Sequence, residues 1–205
     1  MPYIGGVRQS PDALFEYIRI NIKCFIDSSQ PHFTPHPDLP GEVINWQNHM
    51  LGTVLSIDIP IDNGSVILSD YDHRHWTFST IQDRLNGAHP VSGNRSFEYS
   101  YFPANFLGNG LPEQFLFGVT GADRINYRAA ELAGLIRSGT LNPASAFQFS
   151  AGDRLWTSMQ NRIAAFVNSH GGTAQVQAPT MNRPNWQAVR TALDNGESLI
   201  GVPCD

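Results

Sequence analysis

Lysine is almost missing from this 205-residue chain: Lys23 stands alone against twelve arginines. Arginine carries a planar fork suited to carboxylates, phosphates and aromatic faces, whereas lysine mainly solvates surfaces. Cysteine is nearly as scarce. Cys24 and Cys204 lack the C-x-x-C spacing of a zinc knuckle or dithiol motif. Cys24 falls within an apolar helical pattern, which predicts a buried thiol, and a Cys24–Cys204 bridge is left open. No apolar run approaches the ~18 residues of a membrane span. The start, Met1 to Gly6, has no basic segment followed by an apolar one, so no cleaved signal peptide is expected. The expectation is a soluble chain, cytoplasmic as synthesised, with export by a signal-peptide-independent route left open. Positive charge is also in deficit. The net charge of −5 argues against a broad, sequence-independent grip on nucleic acid. Neither a G-x-G-x-x-G fingerprint nor a P-loop lysine is present, so no cofactor is expected through those motifs.

What the chain does hold is apolar surface: 41% hydrophobic residues against 15% charged. That supports a sizeable core and one domain over 1–205. Ser10-Pro11 opens a helix, since serine caps orphan N–H groups and proline suits the first helical position. Leu14, Ile18, Ile22, Phe25 and Ile26 carry its stripe to about Asp27. Ser28 to Pro40, with four prolines, reads as a loop.

Residues 51–120 read as β. Thr53, Leu55, Ile57, Ile59 and Ile61 alternate with Val54, Ser56 and Asp58, Asp62-Asn63-Gly64 supplies a tight turn, and Ser65 to Ser69 returns. Further strands run over His75 to Ile81, through Phe97, Tyr99 and Tyr101, and through Phe115, Phe117 and Val119. From 124 to 196 helices dominate. Tyr127 to Arg137 is one. A second starts from a capping box at Ser150 to Asp153, carries Leu155, Trp156, Met159, Ile163, Phe166 and Val167, and stops at Gly171-Gly172. Thr173 to Ala178 reads as an edge strand. A last helix starts at Pro184 and carries Trp186, Val189 and Leu193. The predicted class is α+β: an antiparallel meander of about five strands, with an N-terminal helix and C-terminal helices on one face.

Three clusters carry candidate chemistry. In Asp70-Tyr71-Asp72-His73-Arg74-His75, the alternating His73 and His75 share a face of an extended chain. They suit zinc only if a third ligand joins them; a solvated turn is the alternative. Gly87 to Arg95 places His89, Ser92 and Arg95 within a glycine- and proline-rich loop, and offers a proton carrier and an anion fork. In Gly121-Ala122-Asp123-Arg124, Asp123 is placed to orient a histidine or to cap a following helix, and Arg124 to bind an anion.

The segments His89-Pro90-Val91-Ser92-Gly93-Asn94-Arg95-Ser96-Phe97, Gly121-Ala122-Asp123-Arg124 and Leu155-Trp156-Thr157-Ser158-Met159-Gln160 resemble a motif series in a group of uncharacterised bacterial proteins. Asp62 to Val66 and Trp76 to Thr80 belong to the same pattern, so the resemblance spans Ser10 to Leu193. It implies a bacterial origin and carries no catalytic role. Two functions follow from the residues. One is a hydrolase of phosphoryl or glycosidic-type bonds, of effector or toxin type, using His89, Arg95, Asp123, Arg124, His73 and His75 at a shared rim. The other is a non-catalytic ligand-binding or assembly module built on the aromatic strands. A protein partner and a small-molecule ligand both remain open.

Overall fold

Ser10 opens the first helix as its spacing predicts: its Oγ accepts the Ala13 N–H at 3.2 Å. Helix α1 covers Pro11–Ile20, and a 3-10 turn over Ile22–Phe25 continues the apolar stripe. Leu14, Phe15, Ile18, Ile22 and Phe25 are all buried. The structure, a computed structural model, describes residues 1–27, 32–58, 63–89, 91–108, 110–125, 141–183 and 185–202. The predicted helix Tyr127 to Arg137 and Cys204 lie outside the described residues. Cys24 corrects its expectation. It is exposed, because the change to 3-10 geometry after Ile20 rotates it off the buried stripe.

A two-stranded hairpin, β1 (Tyr3–Ile4) with β2 (Val7–Arg8), precedes α1. The main sheet holds β3 (His32–Pro35), β4 (Val54–Asp58), β5 (Gly64–Tyr71), β6 (His75–Asp83), β8 (Val91–Phe102) and β9 (Gln114–Ile125) in that spatial order. Every pairing is antiparallel, and a short β7 (Gly87–Ala88) pairs with β6 off this path. The class is therefore α+β with an antiparallel meander. β3 replaces part of the loop expected at Ser28 to Pro40. Its Phe33 is buried, which makes pairing against β4 worth the ordering of the chain. A short helix α2 (Glu42–Gln47) follows it.

Alternation decides the sheet's two faces. Leu55, Ile57, Val66, Leu68, Trp76, Phe78, Phe97 and Tyr99 line one face and are buried. Phe15 of α1 lies 4.5 Å from the Trp76 ring, and Trp76 stacks on Phe97 at 4.7 Å. Helix α3 (Leu141–Ser169) adds Trp156, 5.3 Å from Phe97, with Leu155, Met159, Ile163 and Val167 buried behind it. The capping box expected at Ser150 to Asp153 lies inside α3, which already begins at Leu141. Thr173 to Ala178 forms no strand. Likewise β8 starts at Val91 and β9 runs through Ile125, so the expected Gly87-to-Arg95 loop and the Gly121-to-Arg124 helix cap are largely strand. The two pair residue by residue from Val91↔Ile125 to Phe102↔Gln114, and that continuous ladder outweighs local glycine and capping preferences.

Contacts group the chain into two compact units, Met1–Asn126 with Ala151–Val176, and Tyr127–Ser150 with Gln177–Asp205. The second contains α4 (Trp186–Asp194), capped by Asn185, whose Oδ1 accepts the Ala188 N–H at 2.8 Å; the start expected at Pro184 lies outside the described residues. Arg183 lies 4.7 Å over the Phe149 ring in the same unit. Among the described residues no helix is long and apolar enough to cross a membrane.

Candidate functional site

The expected rim residues separate according to strand geometry. Arg95 lies opposite Phe78 and Gly121, so its side chain emerges on the helix-bearing face. There it pairs with Asp123, and its guanidinium carbon sits 5.2 Å over the Trp156 ring. Glycine makes this possible. A Cβ built on Gly121 would stand 2.1 Å from the Arg95 guanidinium carbon, and one on Gly93 would stand 2.4 Å from Asp123 Oδ1. Arg124 alternates with Asp123 and so projects from the opposite face, opposite Ser92.

His89 lies elsewhere on the helix-bearing face. A Cβ on Gly64 would lie 2.2 Å from its Cδ2, so the ring fills the space left by that missing side chain. Gly64 thus serves close approach and is not at positive φ; Asp62, with Ile59 and Ile61 of the expected hairpin, lies outside the described residues. His89 Nδ1 is 2.7 Å from the Val91 carbonyl oxygen. From the other face Asn86 Nδ2 donates to Ser56 Oγ at 2.9 Å and Ser65 Oγ at 2.8 Å. The turn before His89 therefore grips the start of β5 from both sides. Three strand spacings of ~4.8 Å separate β5 from β9, so the Arg95–Asp123 pair and His89 occupy different parts of the sheet.

His73 and His75 belong to the β5–β6 turn. Asp72 Oδ1 accepts the N–H groups of Arg74 at 2.6 Å and His75 at 2.8 Å, while the imidazole of His75 lies between Asp70, at 2.8 Å, and Asp72, at 3.0 Å. Both ring nitrogens are occupied, so His75 braces the turn and is not a free base. His73 is exposed. The hydrogen bond to Asp70, with the Asp72 charge, raises the His75 pKa above its ordinary 6.5. A raised imidazole adds stability that is fully present below 6.5 and disappears as pH rises through the folded-state value. The group is largely solvated, so the expected contribution is about 0.5 kcal/mol. Thermal melts should show His75→Gln less stable than wild type at about pH 5.5 and nearly equal at about pH 8.5. A difference independent of pH would contradict the brace.

The strongest polar constellation was not legible in the sequence. Arg19 on α1 is 0% exposed. Its Nε and Nη2 each donate to Glu16 at 2.9 Å, its Nη1 donates to the Trp46 carbonyl at 2.8 Å, and Trp46 and Tyr71 cover it at 4.5 and 5.6 Å. The held carboxylate of Glu16 meets His49 Nε2 at 2.5 Å. His49 stacks on Tyr71 at 4.7 Å and remains half-buried. Burial alone would raise the Glu16 pKa, but the bonds from Arg19 and His49 hold it below its ordinary 4.5. Burial, then the Glu16 charge, raises Tyr71 and keeps its hydroxyl protonated.

His49 also has an unusual backbone. Its φ of 57° is left-handed, one of two such values at non-glycine residues among those described. It ends α2 in a Schellman turn: Met50 N–H reaches Asn45 O at 3.0 Å and His49 N–H reaches Trp46 O at 3.4 Å. Glycine is favoured at that position, and a histidine there costs about 1 kcal/mol. The imidazole's bond to Glu16 is what the strained backbone delivers. The one cue in the sequence is a charged pair, Glu16 and Arg19, three apart on an apolar stripe; nothing ties it to His49, 33 residues from Glu16.

Among the described residues no group of three or more His, Cys, Asp or Glu side chains gathers in metal-binding geometry. His36, buried beside Asp83 at 3.3 Å, accepts the Asp38 N–H on Nδ1; this puts the proton on Nε2, the atom facing Asp83. A cleft of roughly 540 Å³ beside α4, between Thr191, Glu197 and Ile200, holds no comparable cluster. Comparison with protein-family models, curated proteins and solved structures finds no match to this chain.

Proposed function

We propose that this chain is a hydrolase whose general base is His49, oriented by Glu16 and, through it, by Arg19. The observation that carries the reading is the 2.5 Å bond from His49 Nε2 to a carboxylate that a buried arginine already holds at two points. That bond puts the Nε2 proton toward Glu16 and leaves the Nδ1 lone pair as base. Nδ1 makes no hydrogen bond to any described residue, and the ring is one-third exposed. In ester hydrolysis Nδ1 takes a proton from water as its oxygen attacks the carbonyl carbon. Glu16 stabilises the imidazolium that forms. The same proton then passes to the departing alkoxide, giving acid and alcohol. Backbone strain of the kind His49 shows concentrates at functional sites.

The test is hydrolysis of p-nitrophenyl acetate by wild type and His49→Gly. Glycine relieves the left-handed backbone while losing the bond to Glu16, so stability should stay within about 1 kcal/mol. Turnover should fall by about 100-fold or more, the usual size of a positioned base's contribution. His73→Ala, the control for ordinary surface imidazole, should retain the wild-type rate. An unchanged rate in His49→Gly would sink the proposal. Arg95, paired with Asp123 against Trp156, favours a second reading, a non-catalytic ligand-binding module. That reading gains if inorganic phosphate raises the melting temperature of wild type and not of Arg95→Gln, with no ester turnover.

A further inference from the structure

We infer that the substrate of the Glu16–His49 site is an uncharged ester with an apolar acyl chain, an inference that rests on His49 being the base. Two observations carry it. The cation bonded to the pair, Arg19, is 0% exposed and already committed to Glu16 and the Trp46 carbonyl, so it presents no fork to an incoming anion. The ionised Glu16 beside it repels one. Surface apolarity points the same way. Val43 and Ile44 on α2 are 57% and 61% exposed, and Met50 and Leu51, directly after His49, are 51% and 61% exposed.

Met50 and Leu51 directly follow His49, and the Schellman bond from Met50 N–H to Asn45 O folds them back on the end of α2, the helix that carries Val43 and Ile44. Contiguous exposed apolar side chains on a soluble fold mark a binding surface. Here the surface adjoins the base, and the occupant that fits both is the hydrocarbon part of the molecule being cleaved.

The test is a chain-length series: p-nitrophenyl acetate, butyrate and hexanoate, with wild type and the double variant Met50→Ser/Leu51→Ser. Both side chains point to solvent, so the variant keeps the core intact. In wild type kcat/KM should rise about two- to fourfold for each added methylene, the increment that burial of one methylene supplies. The rise should sit mainly in KM. In the double variant the series should be nearly flat. His49-dependent acetate hydrolysis without chain-length dependence overturns the acyl assignment and leaves the base in place. Faster His49-dependent turnover of p-nitrophenyl phosphate overturns it too. Absence of His49-dependent turnover of any ester removes the base and the acyl assignment together.

Discussion

Replacing Glu16 by alanine is expected to destabilise the fold by about 3 kcal/mol. Arg19 is 0% exposed, so losing its carboxylate strands a guanidinium that water cannot reach. One carbonyl and two aromatic faces remain to it, too little to balance a buried charge. The double variant Glu16→Leu/Arg19→Met removes both charges and keeps the volume. It should recover most of the loss, since apolar replacement of a buried pair is often neutral or better. Urea unfolding of the three proteins measures this. Equal losses in single and double variants would show that packing, not charge, fixes the position. A pH dependence follows with a definite sign. Because the Glu16 pKa is depressed, its contribution is complete above its ordinary 4.5 and is lost as pH falls through the folded-state value. Wild type should therefore fall toward the Glu16→Ala variant in acid, while the double variant, with neither charge, shows no such loss.

Gly93→Ala is expected to cost at least as much, about 3 kcal/mol, for a different reason. A Cβ there would meet the Ala122 carbonyl oxygen at 2.3 Å and the Asp123 Cα at 2.8 Å. Those are backbone atoms of the paired strand, so relief requires β8 and β9 to separate. Gly121→Ala meets only the mobile end of Arg95, which can swing aside; it should cost less and break the pair with Asp123. At Gly118 the nearest atom is Glu98 Cγ at 3.5 Å, an ordinary contact, and alanine should be tolerated. Melting temperatures ranked Gly118→Ala, Gly121→Ala, Gly93→Ala from highest to lowest would establish that the glycines clear space. A flat ranking would refute it.

The recognition of individual elements followed how local their cause is. Ser10 capping α1, the alternation of Leu55 and Ile57 with Ser56, and the stripe from Leu155 to Val167 are short-range patterns, and each is present. Expectations went astray where a long-range ladder overrode a local preference. Asp123 is a good helix cap by type, and Gly87 to Arg95 a plausible loop by composition. Twelve paired positions between β8 and β9 made most of both into strand. Capping is worth about 1 kcal/mol, and such a ladder with its buried aromatics outweighs it.

The candidate site lay further out of reach. Arg95 and Asp123 meet because they fall diagonally across a register that no local pattern states. Glu16 and His49 meet only because α1 and the end of α2 pack beside the same strand, with Tyr71 under the imidazole. Composition and periodicity on their own determined the α+β class, the helix-bearing face and most of the buried residues, because burial of apolar surface follows repeats of two or 3.6 residues. Tertiary structure alone decided which polar groups touch. Those contacts depend on register and on glycines whose missing side chains are filled from other strands, and neither leaves a periodic trace along the chain.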